Sequence, residues 1–219
     1  MMFSKSLGLA TALATMASAL PSGMLERRTA AAPSNGVLII NNLNQDIYAW
    51  SVDTTSKEPA KMITLSAHGG TYVENYRTLA SGGVSIKLAT EPSQDDVLQF
   101  EYTPTAEQIF WDLSCINMKT GGSKFTQLGY NVKPSSIIPG SCPEVNCAAG
   151  NSHCEGAYNV WNDDHATHGC PLNTGLTMTI GQSGNGSQTT GLPGGQQTAQ
   201  PTVQPSAQPW IQPAGQPAQ

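Results

Sequence analysis

The 219-residue sequence predicts an all-β protein: an antiparallel β-sandwich over residues 32–180, with a small disulfide-stapled loop region and a disordered C-terminal tail. Three observations carry this. Apolar residues recur with a period of two in short runs separated by Gly, Pro, Asn and Ser, and no long helical pattern interrupts them. Four of the five cysteines crowd between Cys142 and Cys170. From residue 181 to the end there is no charged side chain and almost no large apolar one.

The strands are read in order. An apolar run at 37–40 is followed by Asn41-Asn42, and 47–52 (Ile-Tyr-Ala-Trp-Ser-Val) is rich in β-formers. A strand at 71–76 follows Gly69-Gly70, and 84–88 (Val-Ser-Ile-Lys-Leu) alternates cleanly. Runs at 97–102 and 109–113 flank Thr103-Pro104-Thr105, and 176–180 closes the domain. At least seven short strands spaced by turn chemistry make a sandwich of ordinary single-domain size. Ser81-Gly82-Gly83 and Gly121-Gly122 read as hairpin turns, and a short helix is expected only at 154–160.

Both ends point outside the cell. Lys5 precedes an apolar run at 7–16 that is too short to cross a bilayer, and Ala17-Ser18-Ala19 has the small side chains a signal peptidase requires. Residues 1–19 are therefore expected to be a signal peptide cleaved after Ala19. Residues 20–28 end in the dibasic pair Arg27-Arg28 and read as a propeptide processed after Arg28; the alternative is a surface dibasic pair left intact. Loss of 1–28 removes Lys5, Arg27 and Arg28 together with Glu26, moving the formal charge from −5 to −7. Such a chain repels phosphate backbones, so nucleic acid and anionic membrane surfaces are poor partners. The tail, 181–219, carries five Gln-Pro repeats four residues apart and cannot bury enough surface to offset its ordering entropy. It reads as a spacer, with Asn185-Gly186-Ser187 an N-glycosylation acceptor. No membrane insertion is expected, and the protein should be a monomer.

Cysteines in an exported chain imply disulfides. Of Cys115, Cys142, Cys147, Cys154 and Cys170, at most four can pair internally and one stays unpaired. Cys147 and Cys154 are near enough in sequence to close a small loop. The remaining three compete for a second bridge, expected to tie the strand end at 112–114 or the loop at 139–141 to the last strand. His165 and His168, beside Asp163 and Asp164, invite a metal hypothesis. The helix-breaking Gly169-Cys170-Pro171 favours hydrogen-bonded loop histidines instead, and neither a metal nor another cofactor is expected.

Several motifs in order carry a family resemblance. They are the Ile-Asn-Asn after the first strand, Tyr48-x-Trp50-Ser51-Val52, Gly-Gly-Thr-Tyr-x-Glu-x-Tyr-Arg at 69–77, Ile-Phe-Trp-Asp-Leu-Ser-Cys at 109–115, and Asp-Asp-x-Ala-Thr-His-x-Cys-Pro at 163–171. Together they resemble the small fungal secreted thaumatin-like proteins, a group of extracellular antigens and yeast-phase or conidial cell-wall proteins. The resemblance covers the domain and none of the tail. It implies a thaumatin-like β-sandwich, secretion and cell-wall association, but no settled reaction. The plant-type thaumatin-like proteins carry many more disulfides and an acidic cleft, so their activities do not transfer to a chain with five cysteines.

The functional expectation is a non-catalytic extracellular protein that binds wall glycan such as β-glucan, or a host surface protein, through an acidic, aromatic-bearing face. Glu74 and Arg77 are the binding residues of choice, because Arg77 is the lone arginine of the mature domain and its fork can orient a sugar or a carboxylate. If the protein is an enzyme, it is a weak endo-β-glucanase drawing its carboxylate pair from Glu74, Asp95, Asp96, Glu101 and Asp112, Glu74 acting with Asp95, Asp96 or Asp112. No spacing among them separates catalytic from solubilising carboxylates. A third reading is an effector or antigen recognised by a host. There is no Gly-x-Ser-x-Gly elbow and no phosphate-cradling Gly loop.

Overall fold

The period-two pattern becomes two packed sheets in the computed structural model, which describes residues 31–181. In chain order the elements are β1 (Gly36–Asn41), β2 (Ile47–Asp53), β3 (Ile63–Leu65), β4 (Gly70–Asn75), β5 (Val84–Ala89), β6 (Leu98–Pro104), β7 (Gln108–Ser114), α1 (Lys124–Leu128), β8 (Tyr130–Pro134), β9 (Val145–Cys147), β10 (His168–Pro171) and β11 (Leu176–Ile180). A five-stranded sheet runs β4-β1-β11-β8-β9, and a six-stranded sheet runs β10-β7-β6-β5-β2-β3. All seven strands expected from the sequence are present. β3, β8, β9 and β10 were not expected. β3 and β9 are three residues long, β8 ends in Lys-Pro, and β10 reads His-Gly-Cys-Pro, so none shows a run of alternating apolar residues.

Alternate residues of each strand meet between the sheets. Val37 and Ile39 of β1, with Leu176, Met178 and Ile180 of β11, face Ile86 and Leu88 of β5, Leu98, Phe100 and Tyr102 of β6, and Ile109, Trp111 and Leu113 of β7. These side chains are buried, and the rings of Phe100 and Trp111 stack with centroids 6.0 Å apart. Burial of side chains this large contributes several kcal/mol apiece, and it also sets the register, since a one-residue slip would turn each set to the opposite face.

Four expectations need correction. The sandwich is not wholly antiparallel: β1 and β11, the first and last strands, run parallel, with Val37 opposite Leu176, because β4 and β8 take the antiparallel places beside them. The helix is not at 154–160. It is the single turn α1, where Phe125 is buried as an anchor and Gly129, at φ 69°, leaves the helical path. Residues 154–160 instead make a tight turn, Ala157 N–H to Cys154 O, and then join β7. Ser81-Gly82-Gly83 is no hairpin, since it lies between β4 and β5, which belong to different sheets; Gly121-Gly122 lies in the approach to α1.

The cysteine region closes one end of the six-stranded sheet. Cys147 bonds to Cys154 and Cys142 to Cys170, while Cys115 is free and half-buried, its thiol 3.0 Å from the Tyr130 hydroxyl. The second bridge therefore ties the loop at 139–141 to β10, not to the last strand. The backbone explains this: Gly169 N–H bonds to Ser141 O, which sets Cys142 beside Cys170. Burial pushes the Cys115 thiol above its ordinary range, partly countered by Tyr130, and so keeps it protonated.

Candidate functional site

Glu74 and Arg77 lie between the sheets. Glu74 projects inward from β4 and accepts hydrogen bonds from the hydroxyls of Ser51 (2.7 Å), Tyr72 (2.7 Å) and Tyr102 (2.5 Å). Arg77 donates to Asp53 (2.6 Å) and to Ser51 (2.6 Å), and its Nε lies 3.6 Å from Glu74. β2, β4 and β6 are thus joined across the sandwich by one network. Burial, reinforced by Glu74, pushes the phenols of Tyr72 and Tyr102 far above their ordinary range, so both stay donors. Asp53 is held below the usual carboxylate range, first by the Thr55 hydroxyl against its own desolvation, then by the Thr55 and Ser56 amides and by Arg77. Both Glu74 oxygens accept hydrogen bonds from the sandwich itself, so the arrangement ties the sheets together, while the Arg77 side chain stays 36% exposed.

Asp95 and Asp96 sit apart, in the exposed loop between β5 and β6. Asp95 closes a turn with Ser93, and Asp96 accepts the Lys119 backbone N–H at 2.9 Å. They help line a cavity of about 320 Å³ with Glu91, Lys119 and Lys124, where Lys124 and Glu91 form an exposed ion pair. Three carboxylates and two lysines share this place, and it holds neither Glu74 nor Asp112.

His165 and His168 do not converge on a metal cage. His168 packs its ring on Trp111 (centroids 4.7 Å apart), and burial lowers its basicity. Among the described residues no three of His, Cys, Asp and Glu are grouped to hold an ion. Asp163 instead caps the turn before it, accepting the Asn159 and Val160 amides.

Asp112 lies on the other side of the six-stranded sheet. Its neighbours in β7 point inward, so Asp112 points out, directly opposite Glu101 of β6. Such cross-strand partners have Cβ atoms about 5 Å apart. Beside this pair stand Lys87 and Ser85 of β5, and one step along lies the pair Thr103 and Phe110. Phe110 spreads over Gly169 of β10, where even a Cβ would meet the ring at 3.3 Å. Asp112 is buried, and its Oδ1 has no hydrogen-bond partner; the buried Thr103 Oγ1 has none either. Burial, then the charge of Glu101, hold the Asp112 carboxyl well above the usual range. Glu101 is also raised by burial, with Ser85 and Lys87 pulling it back.

One wall of this face is a clasp, residues 154–167. Tyr158 N–H bonds to Leu113 O and Cys115 N–H to Tyr158 O (both 2.7 Å), which lays the clasp along the end of β7. The Tyr158 hydroxyl pairs with Thr167 (2.7 Å) and donates weakly to Asp164 (3.4 Å). Burial pushes this phenol up to about 12, with Asp112 and Asp164 adding to the shift against Thr167. Beyond it, Val160 is exposed and Trp161 is 77% exposed. The opposite wall is a small apolar group of Trp50, Ala89 and Val97, with Tyr48, Val52 and Ala60 packed on it. Between the two lie the Glu101 and Asp112 carboxyls, the Lys87 side chain and the Ser85 and Thr103 hydroxyls; Asp112, Trp50 and Tyr158 are buried, and Trp161 is the exposed ring of the clasp.

By residue type Asp112 and Glu101 are two separate carboxylates, and the strand register makes them a pair. The signal was present: each sits between inward-facing apolar residues, and a turn at 105–107 pairs 101 with 112. Ala19, Arg28, Asn185 and the 182–219 part of the expected tail lie outside the described residues.

Two sheets with this topology, few helices and two disulfides define a thaumatin-like fold. The elicitor MoHrip2 from Magnaporthe oryzae has a similar fold (TM-score 0.53, 21% identity, covering 68% of this chain and 99% of that one). The chain belongs to the family described as Bys1, the Blastomyces yeast-phase-specific protein, whose model matches residues 26–182. It is 41% identical over 182 residues to the secreted thaumatin-like protein calA of Emericella nidulans, covering 83% of this chain and 98% of that protein. It is 44% identical over 141 residues to an antigenic thaumatin-like protein of Arthroderma benhamiae, covering 64% and 67%. The protein is a secreted thaumatin-like protein of this fungal family.

Proposed function

We propose that the protein is a non-catalytic glycan-binding protein of the fungal wall or extracellular surface, and that it contacts β-glucan through the outer face of the six-stranded sheet. The observation that carries this reading is the Glu101 and Asp112 pair on that face, bordered by a segment that carries the exposed ring of Trp161. Sugars are recognised by such mixtures, ring faces stacking on aromatics while hydroxyls bond to carboxyl and amide groups. We prefer this face to Glu74 and Arg77 as the binding centre, because both Glu74 oxygens already accept hydrogen bonds within the sandwich and Arg77 is held by Asp53 and Ser51. Glu74, the Asp95–Asp96 loop and Asp112 lie in three separate parts of the fold, so the endo-β-glucanase pairings that use Glu74 have no common site; of the five carboxylates weighed for it, only Glu101 and Asp112 stand opposite each other across strands.

Retention of the purified protein on insoluble β-glucan tests the reading. Trp161→Ala should lower retention about tenfold while leaving the unfolding midpoint unchanged, because the indole is exposed. Absence of retention of the unaltered protein would remove the glycan reading. A host-recognition reading draws support from the names of the relatives, one antigenic and one an elicitor. It predicts retention by host-cell surface extract in place of glucan.

A further inference from the structure

The cavity of about 320 Å³ beside Asp95 and Asp96 opens where β5 ends. Along that strand Val84, Ile86 and Leu88 point inward, so Ser85, Lys87 and Ala89 point out, and Ala89 lines the cavity. Ser85 stands opposite Glu101, so the cavity begins about 14 Å of strand away from the Glu101 and Asp112 pair. Ser85 and Lys87 are half-buried, which leaves a path along the strand, and the half-buried ring of Tyr48 stands opposite Ala89 at its end.

Two segments wall the cavity, 90–96 after β5 and 119–124 leading into α1. They are joined at the sheet by the Val97 N–H to Asn117 O bond (3.2 Å) and the Lys119 N–H to Asp96 bond (2.9 Å), and at the rim by the Glu91 and Lys124 ion pair (2.9 Å). The space is therefore a cup rather than a trough, at the small end of the sizes that ligand pockets take.

Its lining lacks partners. Thr90 is nine-tenths buried there, and its hydroxyl makes no hydrogen bond among the described residues. A bound hydroxyl would remove the cost of that burial. Asp95 and Asp96 each use one carboxylate oxygen within the loops, on Ser93 and on the Lys119 amide, and keep the other. Glu91 and Lys124 satisfy each other, while the Lys119 ammonium enters no ion pair among the described residues. An anion here would meet two carboxylates, and a metal ion would meet an ammonium. Acceptors, a cationic donor and a hydroxyl around one small cup match the hydroxyls of a neutral sugar.

We infer that this cup is the subsite for the terminal sugar of a β-glucan chain whose following units lie along β5 toward Glu101 and Asp112. The inference rests on the reading of the outer face as a glycan site and adds that the protein recognises chain ends. A terminal unit carries a hydroxyl or an anomeric carbon that no linkage consumes, and a cup closed beyond it admits an end but not a continuing chain. Asp95 and Asp96 accept from its hydroxyls; Lys119 and Thr90 donate to its oxygens.

Competition against retention on insoluble β-glucan tests this, with a soluble linear β-glucan and its hydrolysis fragments compared at equal mass. Cutting multiplies the ends and leaves the interior nearly unchanged, so fragments about one tenth as long should halve retention at about one tenth of the mass. Thr90→Val, which keeps the shape and removes the hydroxyl, and Lys119→Ala, at an exposed position, should each cut that advantage about three- to tenfold without lowering the unfolding midpoint. Equal competition per unit mass in the unaltered protein, or an advantage that either variant keeps undiminished, overturns the chain-end subsite and leaves the glycan reading in place. Retention of the unaltered protein by no β-glucan overturns the glycan reading, and the subsite with it.

Discussion

The two acidic sites of this sandwich differ in what surrounds the carboxyl. Glu74, between the sheets, meets three hydroxyl donors and a guanidinium; Asp112, on the outer face, meets a carboxyl and a phenol. The first is a satisfied charge and works as a structural rivet. The second is an unsatisfied group whose comfort depends on its proton. Residue type does not separate them, since both are acids on strands, but the identity of their neighbours does.

The sharpest way to break this comparison is to remove the rivet. Glu74→Ala leaves the Ser51, Tyr72 and Tyr102 hydroxyls without their acceptor and Arg77 without one of its two carboxylate neighbours, and should cost about 3–5 kcal/mol in urea unfolding. A loss below about 1 kcal/mol would mean that the network contributes little. Converting Cys142 and Cys170 together to Ala should cost about 3 kcal/mol by freeing a loop of 28 residues in the unfolded chain. Its effect should concentrate in exchange protection of β10 and the clasp. The smallest change has the opposite sign: Asp112→Asn should stabilise the protein at neutral pH by about 1 kcal/mol or more, since an amide escapes the cost of burying a carboxyl that the unfolded chain keeps ionised.

The pH dependence follows from the same contrast. The folded carboxyl of Asp112 lies well above its unfolded value of about 3.9, so its contribution is fully present below that value and is lost as pH rises through the folded one. Unfolding free energy should therefore decline from mildly acidic pH upward, and the decline should be smaller in Asp112→Asn. Asp53, held low chiefly by Thr55, contributes in the other sense: its stability is present above the unfolded value and is lost as the medium is acidified through the folded one. Thermal melts at a series of pH values, with Asp112→Asn beside the unaltered chain, separate the two.

The sequence by itself determined the β class, the positions of seven strands and the small cysteine loop, because alternation and cysteine spacing are local properties of the chain, and its ordered motifs carried the family resemblance. It also exposed the carboxylates as individuals. Only the tertiary structure decided that β1 runs parallel to β11, that the second bridge reaches β10, that Glu74 accepts its hydrogen bonds between the sheets, and that Glu101 stands opposite Asp112 on a strand whose end is bonded to Tyr158, some fifty positions later. Each of these depends on contacts between segments distant in sequence. What a buried acid can do is set by the donors, charges and water around it, and folding, rather than the order of residues, supplies those neighbours.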